Sequence, residues 1–290
     1  MYPDFQSARL PSAAGSWHRL LRRAARRLLP VHVLTKRGVS SLLGIGSSHG
    51  HVVDNVDGLQ MEYSLDSLIG QLLFLRGEFE KSEAAFIKRR LQHVIDAVVI
   101  DVGANIGLHS LQAARLASVR QVFAFEPAHT TFAMLERNIT RNGFAEKIHA
   151  YPLAVSKQPG RAEFHFCADD AYSSLTLDGR RPVQQTYEVA VVNLDGWSKE
   201  VALDRVDFVK IDVEGSELDV IQGAEQMLAR HRPELMVEVF QGSRHHFSAV
   251  DLIERIRSLG YDAYVLIEGV PVPFERHDDR HFNYHFVPSR

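Results

Sequence analysis

Two carboxylates and a pair of glycines stand where a nucleoside-bearing ligand would need them. In Val98-Val99-Ile100-Asp101-Val102-Gly103-Ala104-Asn105-Ile106-Gly107 an apolar run ends on an acid, passes into a G-x-x-x-G loop and leads into a helical pattern. Glycine permits a tight turn and a close approach of backbone to ligand, and open α/β sheets bind ligands beyond the carboxyl ends of their strands. A second apolar run, Val122-Phe123-Ala124-Phe125-Glu126-Pro127, ends on another acid, placed to accept hydrogen bonds from both ribose hydroxyls of an adenosine. That much is shared with NAD sites. The loop, however, lacks the G-x-G-x-x-G pattern of pyrophosphate binders. Asp101 beside it would repel a pyrophosphate and attract the cationic amino-acid end of S-adenosylmethionine, directly or through water. Asp101, Gly103, Asn105, Gly107 and Glu126 are therefore the expected cofactor-binding residues, the cofactor being S-adenosyl-L-methionine. The purely structural account of the two acids is that they cap adjacent helices.

A second acidic run, Phe208-Val209-Lys210-Ile211-Asp212-Val213-Glu214-Gly215-Ser216-Glu217, leads from a buried strand into a helix. It brings Asp212, Glu214 and Glu217 to the same carboxyl edge. Methyl transfer from a sulfonium is an in-line displacement, helped mainly by alignment and electrostatics. A hydroxyl acceptor must also lose a proton, so Asp212 and Glu214 are the expected catalytic residues, as general base or as orienting groups. Clustered carboxylates also suit Mg²⁺ or Ca²⁺, but one short acidic run defines no coordination shell, and no metal is expected. Glu217 has a structural account of its own, an acid meeting the helix dipole in a first turn.

Of the 15 histidines, His109, His129, His165, His245 and His246 fall near the expected site. Their spacing gives no H-E-x-x-H signature, and the pair 245–246, in a loop after the fifth expected strand, is best placed to meet substrate. Tyr172, Ser173 and Ser174 are polar loop residues able to bind an acceptor or simply to make a turn. Cys167, the only cysteine, reads as a small buried apolar side chain.

The elements that must position these groups alternate in the manner of βαβ units. Strands are expected at Ala97–Asp101, Gln121–Glu126, Ile148–Leu153, Val206–Asp212, Leu235–Val239, Ala263–Ile267 and Tyr284–Val287. Helices are expected at Leu108–Ser118, Thr131–Asn142, Glu217–His231 and Ala249–Leu259, with one or two more between Ser64 and Val94. Alternating segments between Ala162 and Trp197, such as Ala162–Phe166 and Tyr187–Val192, suggest inserted antiparallel strands. The fold class is α/β, with a mostly parallel seven-stranded Rossmann-like sheet and a helical, basic N-terminal extension.

Taken in order, the first glycine motif, Phe125-Glu126-Pro127, Asn138 with Asn142, Val209-Lys210-Ile211-Asp212-Val213-Glu214-Gly215 with Glu217, and Asn283-Tyr284-His285-Phe286-Val287-Pro288 make the chain resemble the FkbM family of methyltransferases over residues 90–290. The resemblance implies the class I methyltransferase fold, S-adenosylmethionine as donor, and usually O-methylation of a hydroxyl on a natural product, sugar or glycan.

Composition bounds the rest. With 45% hydrophobic and 24% charged among 290 residues, the chain can bury one large core, and it divides into an N-terminal extension, 1–60, and a methyltransferase domain, 61–290. A formal charge of -3 supplies no global attraction to nucleic acid, which is not an expected partner. One cysteine rules out an intramolecular disulfide and fits a reducing cytoplasm. No run is long enough to span a membrane, and the first 30 residues lack the apolar core of a secretory signal. Residues 18–29 form a basic amphipathic pattern, with Arg22, Arg23, Arg26 and Arg27 on one face. It is suited to peripheral membrane contact, to a partner, or to packing on the main domain. The rival readings are an NAD-dependent oxidoreductase and a non-catalytic membrane-associated scaffold.

Overall fold

The computed structural model describes residues 51–167, 173–175, 182–239, 248–274, 277 and 280–289. The basic stretch 18–29, Tyr172, His245 and His246 lie outside the described residues.

The chain enters through a hairpin, β1 (His51–Val56) and β2 (Leu59–Ser64), then two helices, α1 (Leu68–Arg76) and α2 (Lys81–Leu91). The central α/β succession is β3 (Ala97–Val102), α3 (Leu108–Ala114), β4 (Val119–Phe125), α4 (His129–Arg141) and β5 (Ile148–Tyr151). A small sheet follows, made of β6 (Ala154–Val155), β7 (Gly160–Cys167) and β8 (Val183–Val192). After α5 (Leu194–Glu200) the main sheet resumes with β9 (Phe208–Ile211), α6 (Glu217–Gln222), α7 (Glu225–His231) and β10 (Glu234–Glu238). The described chain closes with α8 (Ala249–Ser258), β11 (Tyr261–Ile267), β12 (Val270–Pro273) and β13 (Asn283–Pro288).

Among the described residues the main sheet has eight strands, in the order β12-β11-β13-β10-β9-β3-β4-β5. The run from β5 to β10 is parallel, and the chain reverses its winding direction between β3 and β9, the switch point at which such sheets bind ligands. Antiparallel β13 wedges between β10 and β11. The α/β class and a Rossmann-like sheet are thus as expected, but an eighth strand joins the edge. Strand β12 is added by a tight hairpin in which Glu268 and Gly269 both take positive φ, the backbone that a two-residue turn between twisted strands requires. Pro271 and Pro273 keep its outer edge from recruiting another strand.

Strand β3 is buried at all six positions, which is why it reads as an unbroken apolar run and not as an alternating one. Its odd-numbered residues Ala97 and Val99 pack with the hairpin and α1–α4, its even-numbered ones with α5–α8. The expected helix 217–231 is instead two helices, because the Asp195 carboxylate accepts from the backbone N–H groups of Gln226 (3.1 Å) and Met227 (2.8 Å), starting a new helix there. No described helix is long and apolar enough to cross a membrane.

The hairpin β1–β2 was not anticipated. Its signal was Asp57-Gly58 between apolar runs, and both residues have positive φ. One edge of β2 pairs with β1, and the other is satisfied by side chains. Asn138 Oδ1 accepts from the Glu62 N–H at 2.6 Å, and its Nδ2 donates to the Glu62 carbonyl at 3.0 Å. Asn142 does the same with Gln60, at 2.9 Å for each bond. Two amides one helical turn apart thus imitate a strand partner, and Asn138 also donates to the Ile106 carbonyl at 2.9 Å, tying the hairpin to the glycine loop. The Glu62 carboxylate is clamped by His51, Arg137 and Arg141. Asn138→Ala strands three buried partners and should lower stability to urea by about 2–4 kcal/mol, against about 0.5 kcal/mol or less for exposed Glu136→Ala on the same helix. Equal effects would show that the amide ladder contributes nothing.

Candidate active site

The two-residue period of a strand decides which polar groups meet. Asp101 shares the face of Val99, Lys210 that of Phe208, and Glu238 that of Met236. In register, Asp101 lies beside Lys210, and Glu238 follows Val237, which pairs with Ile211, so it ends β10 next to Asp212. All converge at the carboxyl edge under α2 and α3.

The glycine loop leaves β3 with Gly103, Asn105 and Gly107 at φ of 79°, 50° and 89°. A Cβ at 103 would overlap the Asp212 carbonyl oxygen, and one at 107 would overlap the Leu135 side chain. Here the glycines serve chain-to-chain packing, and a side chain at 103 would push β3 and β9 apart where they form the site. Glu126 locks the loop from the neighbouring strand: one carboxylate oxygen accepts from the Asn105 N–H at 2.9 Å and the other from the Ala128 N–H at 2.8 Å. Asp101 is 2% exposed. Its Oδ2 accepts from Ser110 Oγ at 2.6 Å, while its Oδ1 is buried with no partner among the described residues.

A cavity of about 310 Å³ opens beside these groups. Gly103, Asn105 and Glu126 line one part, and Glu80, Asp212, Glu214 and Glu238 another. Asp101 and Gly107 stand behind its wall. Lys210 Nζ donates to Asp212 Oδ2 at 2.8 Å. Burial works against the Lys210 charge, but Asp212, Asp101 and Glu80 more than offset it, and its pKa lies above the ordinary lysine value. Burial likewise opposes the Asp212 carboxylate, yet Lys210 and a hydrogen bond with Glu238 hold it below the usual aspartate range. Glu238 goes the other way: burial, then the charges of Asp212 and Glu214, push it well up. Asp212, Glu214 and Glu238 each bring an oxygen within 4.8 Å of the others, a spacing that also suits a divalent ion; the Lys210 ammonium already supplies a positive charge at Asp212.

Ser174 lines the cavity and donates to the Glu214 carbonyl at 2.8 Å, so the inserted sheet touches the acidic turn. Ser173 also lines it. Among the described residues, the candidate histidines His109, His129 and His165 do not line the cavity. His109 Nε2 bonds Glu80 at 2.7 Å, His129 stacks on Tyr187, and His165 meets Thr186 on the small sheet. Cys167 is buried. Lys210, Glu238 and Glu80 were not singled out from the sequence. The available signal was, for Lys210, a charge inside an apolar strand in Phe208-Val209-Lys210-Ile211 and, for Glu238, an acid ending one in Leu235-Met236-Val237-Glu238.

A family model described as the methyltransferase FkbM domain matches residues 101–263, more than half of the chain. The chain belongs to the FkbM methyltransferase family. The FkbM match opens on Asp101 and spans the glycine loop, Glu126, the acidic turn and Glu238. The 2-O-methyltransferase NoeI of Sinorhizobium fredii is 28% identical over 151 residues, 47% of this chain and 61% of NoeI. Hexuronic acid methyltransferase AglP of Haloferax volcanii is 29% identical over 188 residues, 62% of this chain and 71% of AglP. Among solved structures, methyltransferase FkbM from Methylobacillus flagellatus KT aligns over 66% of this chain and 44% of its own, with 19% identity and a TM-score of 0.43. The chain therefore covers about three fifths of NoeI.

Glu217 gives this site a pH signature. It is 4% exposed and accepts from the Gly215 N–H at 2.9 Å; burial raises its pKa to about 7. The folded protein keeps the Glu217 proton up to about pH 7 and the unfolded chain only up to about 4.5, so stability falls as pH rises through that window. Glu217→Gln should remove roughly 2–3 kcal/mol of the stability difference between pH 5 and pH 8. Urea unfolding at the two pH values checks it, and an unchanged difference would place the proton elsewhere.

Proposed function

We propose that the protein is an S-adenosylmethionine-dependent O-methyltransferase whose acceptor is a hydroxyl of a sugar, glycan or related small molecule. One observation carries this reading: a single cavity runs from the Gly103–Asn105 loop and Glu126 to the acids at Asp212, Glu214 and Glu238. It has one end suited to an adenosine and another suited to a reacting hydroxyl.

The residues present fit the donor. Asp101 Oδ1 is a buried acceptor with nothing to accept from among the described residues, and it gives the loop a negative field. Glu126 is fixed by the Asn105 and Ala128 N–H groups and lines the cavity, where a carboxylate can accept from ribose hydroxyls. Gly103, Asn105 and Glu126 would hold the donor from the wall, with Asp101 and Gly107 supporting them from behind. When bound, the donor supplies a methyl group activated on a sulfonium. Asp212, held anionic by Lys210, is a weak base and a strong hydrogen-bond acceptor. Its role is to orient the acceptor O–H, with Glu214 beside it. The name of NoeI, a 2-O-methyltransferase, agrees with a hydroxyl acceptor, and that of AglP, a hexuronic acid methyltransferase, with a sugar-derived one. In this reading residues 61–290 form the catalytic domain, and β1, on the extension side of that division, packs with it through β2. The oxidoreductase alternative lacks its glycine pattern.

Titration calorimetry with S-adenosylhomocysteine and NAD tests the reading. S-adenosylhomocysteine should bind and NAD should not, and Asp101→Asn and Glu126→Gln should each weaken binding by about tenfold or more, the loss of one to two charged hydrogen bonds. Folded wild-type protein that ignores S-adenosylhomocysteine would overturn it.

A further inference from the structure

Asp212, one residue past the end of β9, and Glu238, at the end of parallel β10, bring carboxyl oxygens within 4.8 Å of each other, and the two carboxyls interact through a hydrogen bond. Two half-buried carboxylates in contact strongly disfavour double ionisation, so the pair holds one proton. Lys210 decides which partner carries it. Its ammonium, 2.8 Å from Asp212 Oδ2, fixes the charge on Asp212 and leaves the proton on Glu238. Every other element facing Glu238 agrees. The turn into α6 presents Glu214 and Glu217, and the N-cap of α2 presents Glu80 at the same cavity. Beneath, β3 contributes Asp101 to the field around Lys210, and His109 on α3 is engaged by Glu80. From β13, the residue paired with Glu238 is the neutral Asn283, which donates to Glu83 at 3.1 Å. Among the described residues the leading influences on Glu238 are burial and its negative neighbours Asp212, Glu214 and Glu217, which keep its pKa high.

Given the methyltransferase reading above, on which this rests, we propose that Glu238 is the base that takes the acceptor's proton, and that it is made ready by a cationic methyl donor, whose entry into the cavity expels the proton Glu238 carries. A positive charge a few ångströms from a carboxyl favours its ionised form. Before donor entry Glu238 is a neutral acid; afterwards it is a carboxylate facing the acceptor site with a basicity that Asp212 lacks. In the transfer, the acceptor's O–H bond breaks, its proton goes to Glu238, and its electron pair forms the O–C bond to the methyl group. The C–S bond breaks with both electrons going to sulfur. One carboxylate and one sulfonium become one neutral acid and one neutral thioether, so the cavity regains its resting charge and proton as the product forms. Base strength thus appears only when the donor is present.

The two forms of the donor differ in charge at sulfur, which gives a binding test free of turnover. The full-length protein is titrated at pH 7 with S-adenosylmethionine and with S-adenosylhomocysteine, each in phosphate and in Tris, whose different ionisation enthalpies report protons released. S-adenosylmethionine should release more protons than S-adenosylhomocysteine, the difference approaching about one. Glu238→Gln should abolish the difference while still binding S-adenosylhomocysteine, and Glu217→Gln should preserve it. Infrared difference spectra of wild-type protein should show a protonated-carboxyl C=O stretch lost on adding S-adenosylmethionine and kept on adding S-adenosylhomocysteine; this holds even if Glu238→Gln does not fold. Equal proton release by both ligands, or a difference that survives Glu238→Gln, overturns the proposal and leaves the methyltransferase reading standing. Absence of binding by either ligand removes that reading itself, and this proposal with it.

Discussion

A lysine ammonium buried in the middle of a parallel sheet organises this site. Position 210 lies in a strand whose neighbours are wholly buried, and its side chain is itself only 7% exposed. Such a charge is intolerable without compensation, and compensation arrives from three directions: Asp212 two residues on, Asp101 on the adjacent strand, and Glu80 at the start of α2. Asp212 and Glu80 line the cavity and Asp101 backs it. The need to neutralise Lys210 therefore gathers carboxylates that would otherwise repel one another, and fixes which of them is ionised. Removing the ammonium would leave touching acids that relax only by taking up protons or moving apart, so Lys210 sets the electrostatics of the site without lining it.

The glycine loop depends on a second constraint, the free edge of β2. A strand edge buried against a helix needs donors and acceptors, and α4 meets it with Asn138 and Asn142. Because Asn138 also reaches the Ile106 carbonyl, the hairpin, the helix and the loop form one connected body. Glu126 closes the loop from the other side. The loop conformation, with three positive φ values in five residues, is thus held by a side-chain amide on one flank and a carboxylate on the other.

Much of this was legible in the sequence because the strands that carry the site are buried on both faces and read as continuous apolar runs ending in acids. Asp101, Glu126 and Asp212 announced themselves in that way. Glu238 ended its run just as plainly at Leu235-Met236-Val237-Glu238, but no glycine or second acid marked it, and only the parallel register beside β9 brings it to Asp212. Glu80 was illegible for a different reason: it joins the cavity through a positive φ at the start of α2, a backbone choice no periodicity encodes. The glycines were found for an incomplete reason. Their spacing marked the loop, but the group each makes room for, the Asp212 carbonyl or the Leu135 side chain, comes from an element remote in sequence. The β1–β2 hairpin and β12 were short segments whose only signal was a two-residue turn, Asp57-Gly58 and Glu268-Gly269.

The two ends of the cavity are built in different ways, and that difference bears on how the site can vary. At the loop end the shape is set by backbone: positive φ at Gly103, Asn105 and Gly107, and N–H groups held by Glu126. Side-chain replacement there disturbs the chain path itself. At the acidic end the strands fix only where the Cβ atoms stand, and the chemistry resides in carboxyl groups that can be exchanged without moving β9 or β10. The small sheet adds Ser173, Ser174 and Phe164 to the wall from an insertion between β5 and β9. That insertion touches the core at Ser174 to Glu214 and at Tyr187 to His129. The charges of Lys210 and Asp212 belong to one central strand and its end and cannot vary independently, since changing either leaves the other without its partner. The wall contributed by the insertion and the charge pattern of the central strands thereby belong to separate parts of the chain.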